Sequence, residues 1–383
     1  MIEREMEKNA IESPLAPKES RWRGFWRLLR KNKLAVLGLV IFLLFFLTAV
    51  AGLVLTSGSN PFFDPAMVRL EEKLRPPLSA PREGLSSQAI PRLGLYLLGT
   101  DELGRDVFAR MMQGAWVSLT VGFVAVGIAV LVGILLGGIS GYYGQNAVTA
   151  DHLVTAVLIL TGMGLLTARV ITSGILLLII GGLSFIFLQG WKKKRAGTGW
   201  TKILSIRTIS IDTLIMRFVD IMLCFPSFFL ILTVVALLPA SIYNIMIIIG
   251  LTSWMGTTRF VRAEFLSLRE QDFVTAAHAL GVSSGRIIFR HMIPNAIAPV
   301  LVSATIGIAS AILTEAGLSF LGLGVPPPHA TWGNILSGGK NYIFDAPWLT
   351  FVPGIAILIV VLSFNLFGEG LRDALNPRLR ERS

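Results

Sequence analysis

"DFVTAAHALGVSSGRIIFRHMIPNA", Asp272 to Ala296, lies between two hydrophobic runs, 242–254 and 296–321. It carries Arg, His, Asp and several hydroxyl residues, yet its pattern is that of folded structure. Phe273, Ala276, Ala277 and Leu280 recur at i, i+3, i+4 and i+7, one apolar stripe of a short helix. Asp272 suits its N-cap. Gly281 suits the left-handed turn that ends a helix. Ser283 suits the cap of a second short helix, with Ile287 and Ile288 on its buried side, and Pro294 suits the entry into the next run. The sequence therefore predicts helix, glycine elbow, helix. Two readings of such a segment stand side by side: an amphipathic helix resting on lipid, or a rigid knob held in a partner's groove.

The composition around it settles the class. Of 383 residues, 53% are hydrophobic and 15% charged, against about 25% charged in soluble domains. Several runs are apolar over the ~20 residues that span a bilayer as helix. The class is a polytopic helical membrane protein, since backbone polar groups in lipid must be satisfied within the segment. The formal net charge of +11 follows the Lys/Arg enrichment of cytoplasmic loops and does not describe a nucleic-acid-binding face. Cys224 is the single cysteine and has no internal disulfide partner.

Working outward gives a topology. Residues 1–33 end in Arg21, Arg23, Arg27, Arg30, Lys31 and Lys33, which places this N-terminal segment in the cytoplasm. The first span is 34–55, and 56–110 is an extracytoplasmic loop whose Lys/Arg and Asp/Glu balance at seven each. The second span covers 116–139. Residues 153–190 are apolar but broken near Arg169–Gly174, so a two-span hairpin fits better than one helix too long for a ~30 Å core. It also returns Lys192–Arg195 to the inside. Residues 218–238 cross outward with a kink at Pro226, 242–254 and the residues after it return, 296–321 cross outward, and 348–367 return. The fold class is thus an all-α membrane bundle of about eight spans, six plus an inserted hairpin within 146–210. Residues 257–295 form a cytoplasmic loop, and both termini are inside.

The pairing of Ala276 and Ala277 with Gly281 after three intervening residues, then Ile293–Pro294, resembles the coupling loop of ABC-importer permeases. Where that family often has Glu, Thr275 stands here. Three further stretches are similar to the dipeptide/oligopeptide/nickel branch: "LGTDELGRDVFARMMQGAWVSL" (98–119), "EAGLSFLGLGVPPPHATWGNIL" (315–336) and "NLFGEGLRDALNPRLR" (365–380). The resemblance is to the second, C-type permease subunit of such importers and covers about 21–145 and 210–382. It makes residues 111–383 the permease domain. The roughly 65 residues inserted within it have no counterpart in the pattern; a lipid-facing hairpin that adds bulk and a docking surface for another membrane subunit are the two readings.

The resemblance implies a non-catalytic transport subunit. It would pair with a second homologous permease, two cytoplasmic ABC ATPases and an extracytoplasmic substrate-binding protein, in the cytoplasmic membrane of a prokaryote. The chain would hold no cofactor of its own, ATP and Mg being bound by the ATPases; no phosphate-binding loop of the G-x-x-x-x-G-K-[ST] kind occurs. Phe273, Thr275, Ala276, Ala277, Leu280, Gly281, Ser283, Arg286, Arg290 and Pro294 would form the ATPase-coupling site, the first apolar group filling the groove. The substrate would be a dipeptide or short peptide, with nickel or another small solute as the alternative.

Three features carry two readings each. Glu315, in an apolar span, either lines the translocation path or hydrogen-bonds between helices. Trp332, on the outer loop, either packs under the docked binding protein or anchors the chain at the interface. Residues 99–106 hold Asp101, Glu102, Arg105 and Asp106, either a metal site or internal salt bridges, the latter preferred. The four histidines, His152, His278, His291 and His329, show no metal-ligand spacing, and no nucleophile motif is present. An ion-coupled secondary transporter would need several buried ionisable groups in matching halves. A membrane-embedded enzyme would need paired acid/base groups at bilayer depth. Neither pattern is found.

Overall fold

The computed structural model describes residues 21–85, 90–144, 147–149 and 207–375. The predicted hairpin within 153–190, the Lys192–Arg195 cluster and the ends of the chain lie outside the described residues. What is described is helical apart from one short ribbon. In chain order the helices are α1 (Arg21–Lys31), α2 (Lys33–Thr56), α3 (Val107–Tyr143), α4 (Ile211–Leu223), α5 (Ser227–Leu237), α6 (Ile242–Arg269), α7 (Asp272–Ala279), α8 (Ser284–Ile287), α9 (Ile293–Phe320), α10 (Trp332–Gly339) and α11 (Trp348–Leu375). Between α3 and α4, strand β1 (Ala147–Thr149) pairs antiparallel with β2 (Arg207–Ser210), Ala147 opposite Ser210.

Among the described residues, α2, α3, the 37-residue run Ser284–Phe320 and α11 are long and apolar enough to cross a membrane; α4 and α5 make a fifth candidate if counted as one bent span. The predicted span 218–238 is corrected by this geometry. The helix begins earlier, at Ile211, and breaks at Cys224–Pro226 into two pieces bent by 79°. Pro226 cannot donate a backbone hydrogen bond, and the preceding helix carries Asp212, Arg217 and Asp220, which suit an interface better than a hydrocarbon core. Helix α6 extends the expected short return to 28 residues, about 42 Å at 1.5 Å per residue. Its second half bears Arg259, Arg262, Glu264 and Arg269.

The described residues fall into two compact units. Of the described residues, one holds those within 21–127, 232–249 and 301–375; the other holds those within 128–149, 207–231 and 250–300. In the first unit α2 lies along α11. Contact is close because Gly38 and Gly370 carry no side chain: a Cβ at Gly38 would stand 2.8 Å from the Ser363 carbonyl oxygen, and one at Gly370 2.0 Å from the Ala35 Cβ. Phe42 stacks on Phe367 and tilts against Phe364 at 5.0 Å. The loop after α2 is fastened by Thr100, whose hydroxyl donates to the Glu72 carbonyl at 2.5 Å and accepts from the Arg75 amide at 2.8 Å. The Trp348 indole donates to the Thr100 carbonyl oxygen at 3.2 Å.

The second unit is organised on the end of α3. Gly133, Gly137 and Gly141 repeat every four residues and so share one face. A Cβ at these positions would stand 2.6 Å from Thr257 Cγ2, 2.6 Å from the Thr258 carbonyl oxygen and 2.5 Å from the Phe265 Cβ. The glycine face is what lets α3 and α6 approach this closely, the small-residue device of membrane helix packing.

Candidate functional site

Helix α7, its glycine turn and α8 form a projection on the second unit. The projection ends in a Schellman turn. Gly281 has φ +72°, its amide donates to the His278 carbonyl at 3.0 Å, and the Val282 amide donates to the Ala277 carbonyl at 3.1 Å. The left-handed φ expected of Gly281 is found, and a Cβ there would meet nothing within 4 Å.

The apolar stripe divides differently from the expectation. Val274 and Ala277 point inward, into a cluster of Tyr142, Val261, Phe265, Ile287, Met292, Ala296 and Val300. Phe273, Ala276 and Leu280 are exposed, Leu280 at 83%. Ala277, expected to fill a partner's groove, is therefore buried in this chain's own core. The inward face is rotated from the expected stripe: Val274 stands beside Ala277 and supplies the bulk on the inner side.

The caps are corrected too. Gln271 occupies the N-cap and makes no side-chain cap bond, while Asp272 is the first helical residue. Thr275 donates its hydroxyl to the Asp272 carbonyl at 2.9 Å. Ser283 does stand at the N-cap of α8, without a side-chain cap bond. Helix α8 is the start of the next span, not a separate element. A π-helical turn, Ile288–Met292, joins it to α9. Pro294, in the first turn of α9, has no amide to donate backward, and the Asn295 side chain donates to the His291 carbonyl at 2.6 Å. Arg286 and Arg290 are exposed, as is Phe289, at 69%. Phe273, Leu280, Phe289, Arg286 and Arg290 are thus all exposed.

Other contacts that the linear pattern does not reveal fasten the projection. Tyr142, at the end of α3, is hydrogen-bonded to His278 Nε2 at 3.0 Å, with the rings stacked at 6.1 Å. Nearby, Arg262 of α6 grips both carboxylate oxygens of Asp212 on α4, and Ser140 of α3 donates to Asp212 Oδ1 at 2.5 Å.

The remaining candidates lie in the first unit. Glu315 is 1% exposed. Ser319 donates to its Oε1 at 2.7 Å and Ser118 of α3 to its Oε2 at 3.4 Å. Trp332 is 1% exposed. Its indole donates to the Met111 carbonyl at 3.2 Å, its amide donates to Ser118 at 3.3 Å, and its ring meets Phe45 edge-on. The expectation that Trp332 offers a docking surface is corrected: the ring is enclosed. Thr331 and Asn334 form a reciprocal capping box that turns Trp332 inward at the start of α10, and Gly114 leaves room for it. Asp101, Glu102 and Arg105 are salt-bridged as preferred, while Asp106 accepts from the Phe108 amide at 2.9 Å. Asp101 accepts from Arg105 Nε at 2.7 Å, Arg110 Nη1 at 2.6 Å and the amides of Leu103 and Arg105 at 2.9 Å.

Residues 203–381 match the family model of the binding-protein-dependent transport system inner membrane component, and residues 20–77 match that of the N-terminal TM domain of oligopeptide transport permease C. The chain is 37% identical over 361 residues to the dipeptide transport system permease protein DppC of Alkalihalophilus pseudofirmus, covering 94% of this chain and 91% of that protein. It is 30% identical over 362 residues to the oligopeptide transport system permease protein OppC of Bacillus subtilis, with 94% and 91% covered. It is 33% identical over 358 residues to the di/tripeptide transport system permease protein DppC of Pseudomonas aeruginosa, with 94% and 92% covered. The chain belongs to this family of binding-protein-dependent permeases.

This permease is a multi-pass helical membrane protein and a transport subunit by family. Its projection, Glu315 and Trp332 all lie within the matched 203–381. Among its described residues no three His, Cys, Asp or Glu side chains converge as a metal site. The four-residue spacing of Gly133, Gly137 and Gly141 was a signal available in the permease sequence. Asp212 and Arg262, 50 residues apart, carried none.

Proposed function

We propose that this permease forms half of the translocation path of an ATP-driven importer of dipeptides or short peptides, and that α7 with its glycine turn is where a cytoplasmic ABC ATPase docks. The observation that carries the docking site is the division of α7. Val274 and Ala277 root it in the chain's own core, while Phe273, Leu280 and Phe289 are left exposed beside Arg286 and Arg290. A rooted helix with an exposed apolar face suits rigid-body transmission. A segment merely lying on lipid has no need of a Schellman turn locked beneath it. The peptide class is supported by the names of the relatives. The partners in this reading are a second homologous permease, two ATPases that hold ATP and Mg, and an extracytoplasmic binding protein; no reaction is catalysed in this chain. The basic residues near α1, α6 and α7 support a cytoplasmic side for both termini, in a prokaryotic cytoplasmic membrane.

Glu315 is, in this reading, an interhelical tie. Its partners are Ser118 and Ser319, and its 1% exposure leaves no surface for a passing solute.

The test is Leu280→Asp in the chain co-expressed with its neighbouring transporter genes. Leu280 is 83% exposed, so a charge there does not disturb this chain's own core. The expected result is normal yield of the permease with loss of the co-purifying ATPases. ATPases retained at the wild-type level would sink the docking site.

A further inference from the structure

We propose that Asp212 and Arg262 are positioning residues for transport: a strut that passes displacement of α7 from α6 into α3 and α4. The proposal rests on the coupling reading of α7.

Helix α6 ends at Arg269 and α7 begins at Asp272, so α7 can hardly move without α6. Whether other helices follow depends on the side chains that fix α6 to them. One carboxylate joins three helices. Arg262 of α6 binds both oxygens of Asp212 in the first turn of α4, and Ser140 of α3 donates to Asp212 Oδ1 at 2.5 Å. Two parallel bonds from a planar guanidinium define an orientation as well as a distance, which a lysine cannot do.

A second rung lies further along the same two helices. Arg259 Nη2 donates to Asp220 Oδ1 at 2.5 Å. The carboxylates advance from 212 to 220 while the arginines retreat from 262 to 259, so the two rungs hold antiparallel helices. Beside the outer rung Val219 packs with Trp254 and Met255, and Phe218 stacks on Trp254 at 5.7 Å. The outer rung, about half exposed on both sides, adds little by itself. The inner rung, 30% and 22% exposed with three hydrogen bonds, sets the register.

Behind the inner rung the glycine face of α3 brings backbone against α6, so displacement is not absorbed by flexible side chains. The Tyr142–His278 bond ties α7 itself to the last turn of α3. The strut therefore sits where three helices and the projection meet, partly exposed, at a place where the packed core already holds the fold.

The test uses the whole transporter in proteoliposomes, with two readouts: retention of the ATPases, and stimulation of ATP hydrolysis by the substrate-binding protein loaded with dialanine. Asp212→Asn should retain the ATPases and lose stimulation by at least about fivefold, the lower end of ordinary coupling factors. Arg262→Lys, which keeps the charge but not the fork, should lose part of it. The exchange Asp212→Arg with Arg262→Asp should restore stimulation, which would assign the loss to the pair and not to either charge alone. Undiminished stimulation in Asp212→Asn overturns the strut. So does loss of the ATPases in that variant, which would make the pair a fold contact only, and so does failure of the exchange. ATPases absent from the wild-type complex would instead overturn the coupling reading on which the strut rests.

Discussion

At Gly281 the backbone is left-handed and the space around it is open. Substitution there strains the backbone and clashes with nothing. Gly281→Ala should cost about 1–2 kcal/mol of local order in the turn, and Gly281→Val more, since a β-branched side chain is stiffer still. Limited proteolysis at 278–286 should rank wild type, Ala and Val in that order; equal cleavage would contradict the argument. Glu315 presents the opposite case, a residue defined by its neighbours. Ser118 and Ser319 donate their hydroxyl protons to the two oxygens of the Glu315 carboxyl group. Glu315→Gln keeps one accepting oxygen and turns an NH2 group toward the other hydroxyl, which loses its acceptor. The expected cost is about 1–3 kcal/mol, read as a lower melting temperature in detergent with substrate preference unchanged. A changed preference at unchanged melting temperature would return Glu315 to the translocation path.

At the level of elements, the glycine face of α3 is the most exacting contact described. Gly141→Leu places bulk where a single Cβ would already stand 2.5 Å from the Phe265 Cβ. Overpacking of this kind costs about 1–3 kcal/mol or more, and because α6 carries α7, ATPase retention should fall together with thermal stability. A Gly141→Leu protein with wild-type melting temperature would show that the helices are not held at this distance. The elements also mark what the sequence made legible. The long apolar runs of α2, α3, α9 and α11 stood out because hydrocarbon demands an unbroken apolar length, and Gly281 because few residues tolerate its backbone. The break at Cys224–Pro226 was read as a kink within one span, since proline marks where a helix yields but not how far it turns. The inward face of α7 was missed because four small or apolar residues compete for it. The enclosure of Trp332 and the pairing of Asp212 with Arg262 depend on contacts far apart in sequence, which periodicity does not report.

For the whole molecule, the neck at β1 and β2 bears on the long segment between them. Ala147 and Ser210 are paired across an antiparallel ribbon, so the two ends of the segment between them lie side by side. We propose that residues 150–206 are an addition the permease domain can lose. Replacing them with an Asn-Gly turn, which matches the twist of a two-stranded hairpin, should leave assembly with the ATPases intact. Loss of the second permease from the purified complex would instead make the segment a docking surface.

The open space at Gly281 has a consequence for what the position selects. The usual reason to require glycine is crowding, but a side chain there would touch nothing within 4 Å. What is excluded is a hand. An alanine of D configuration, for which φ +72° is ordinary ground, would sit in the turn at ease, whereas every L residue except glycine is strained. The position is a stereochemical filter, and glycine occupies it because it is the one encoded residue without chirality.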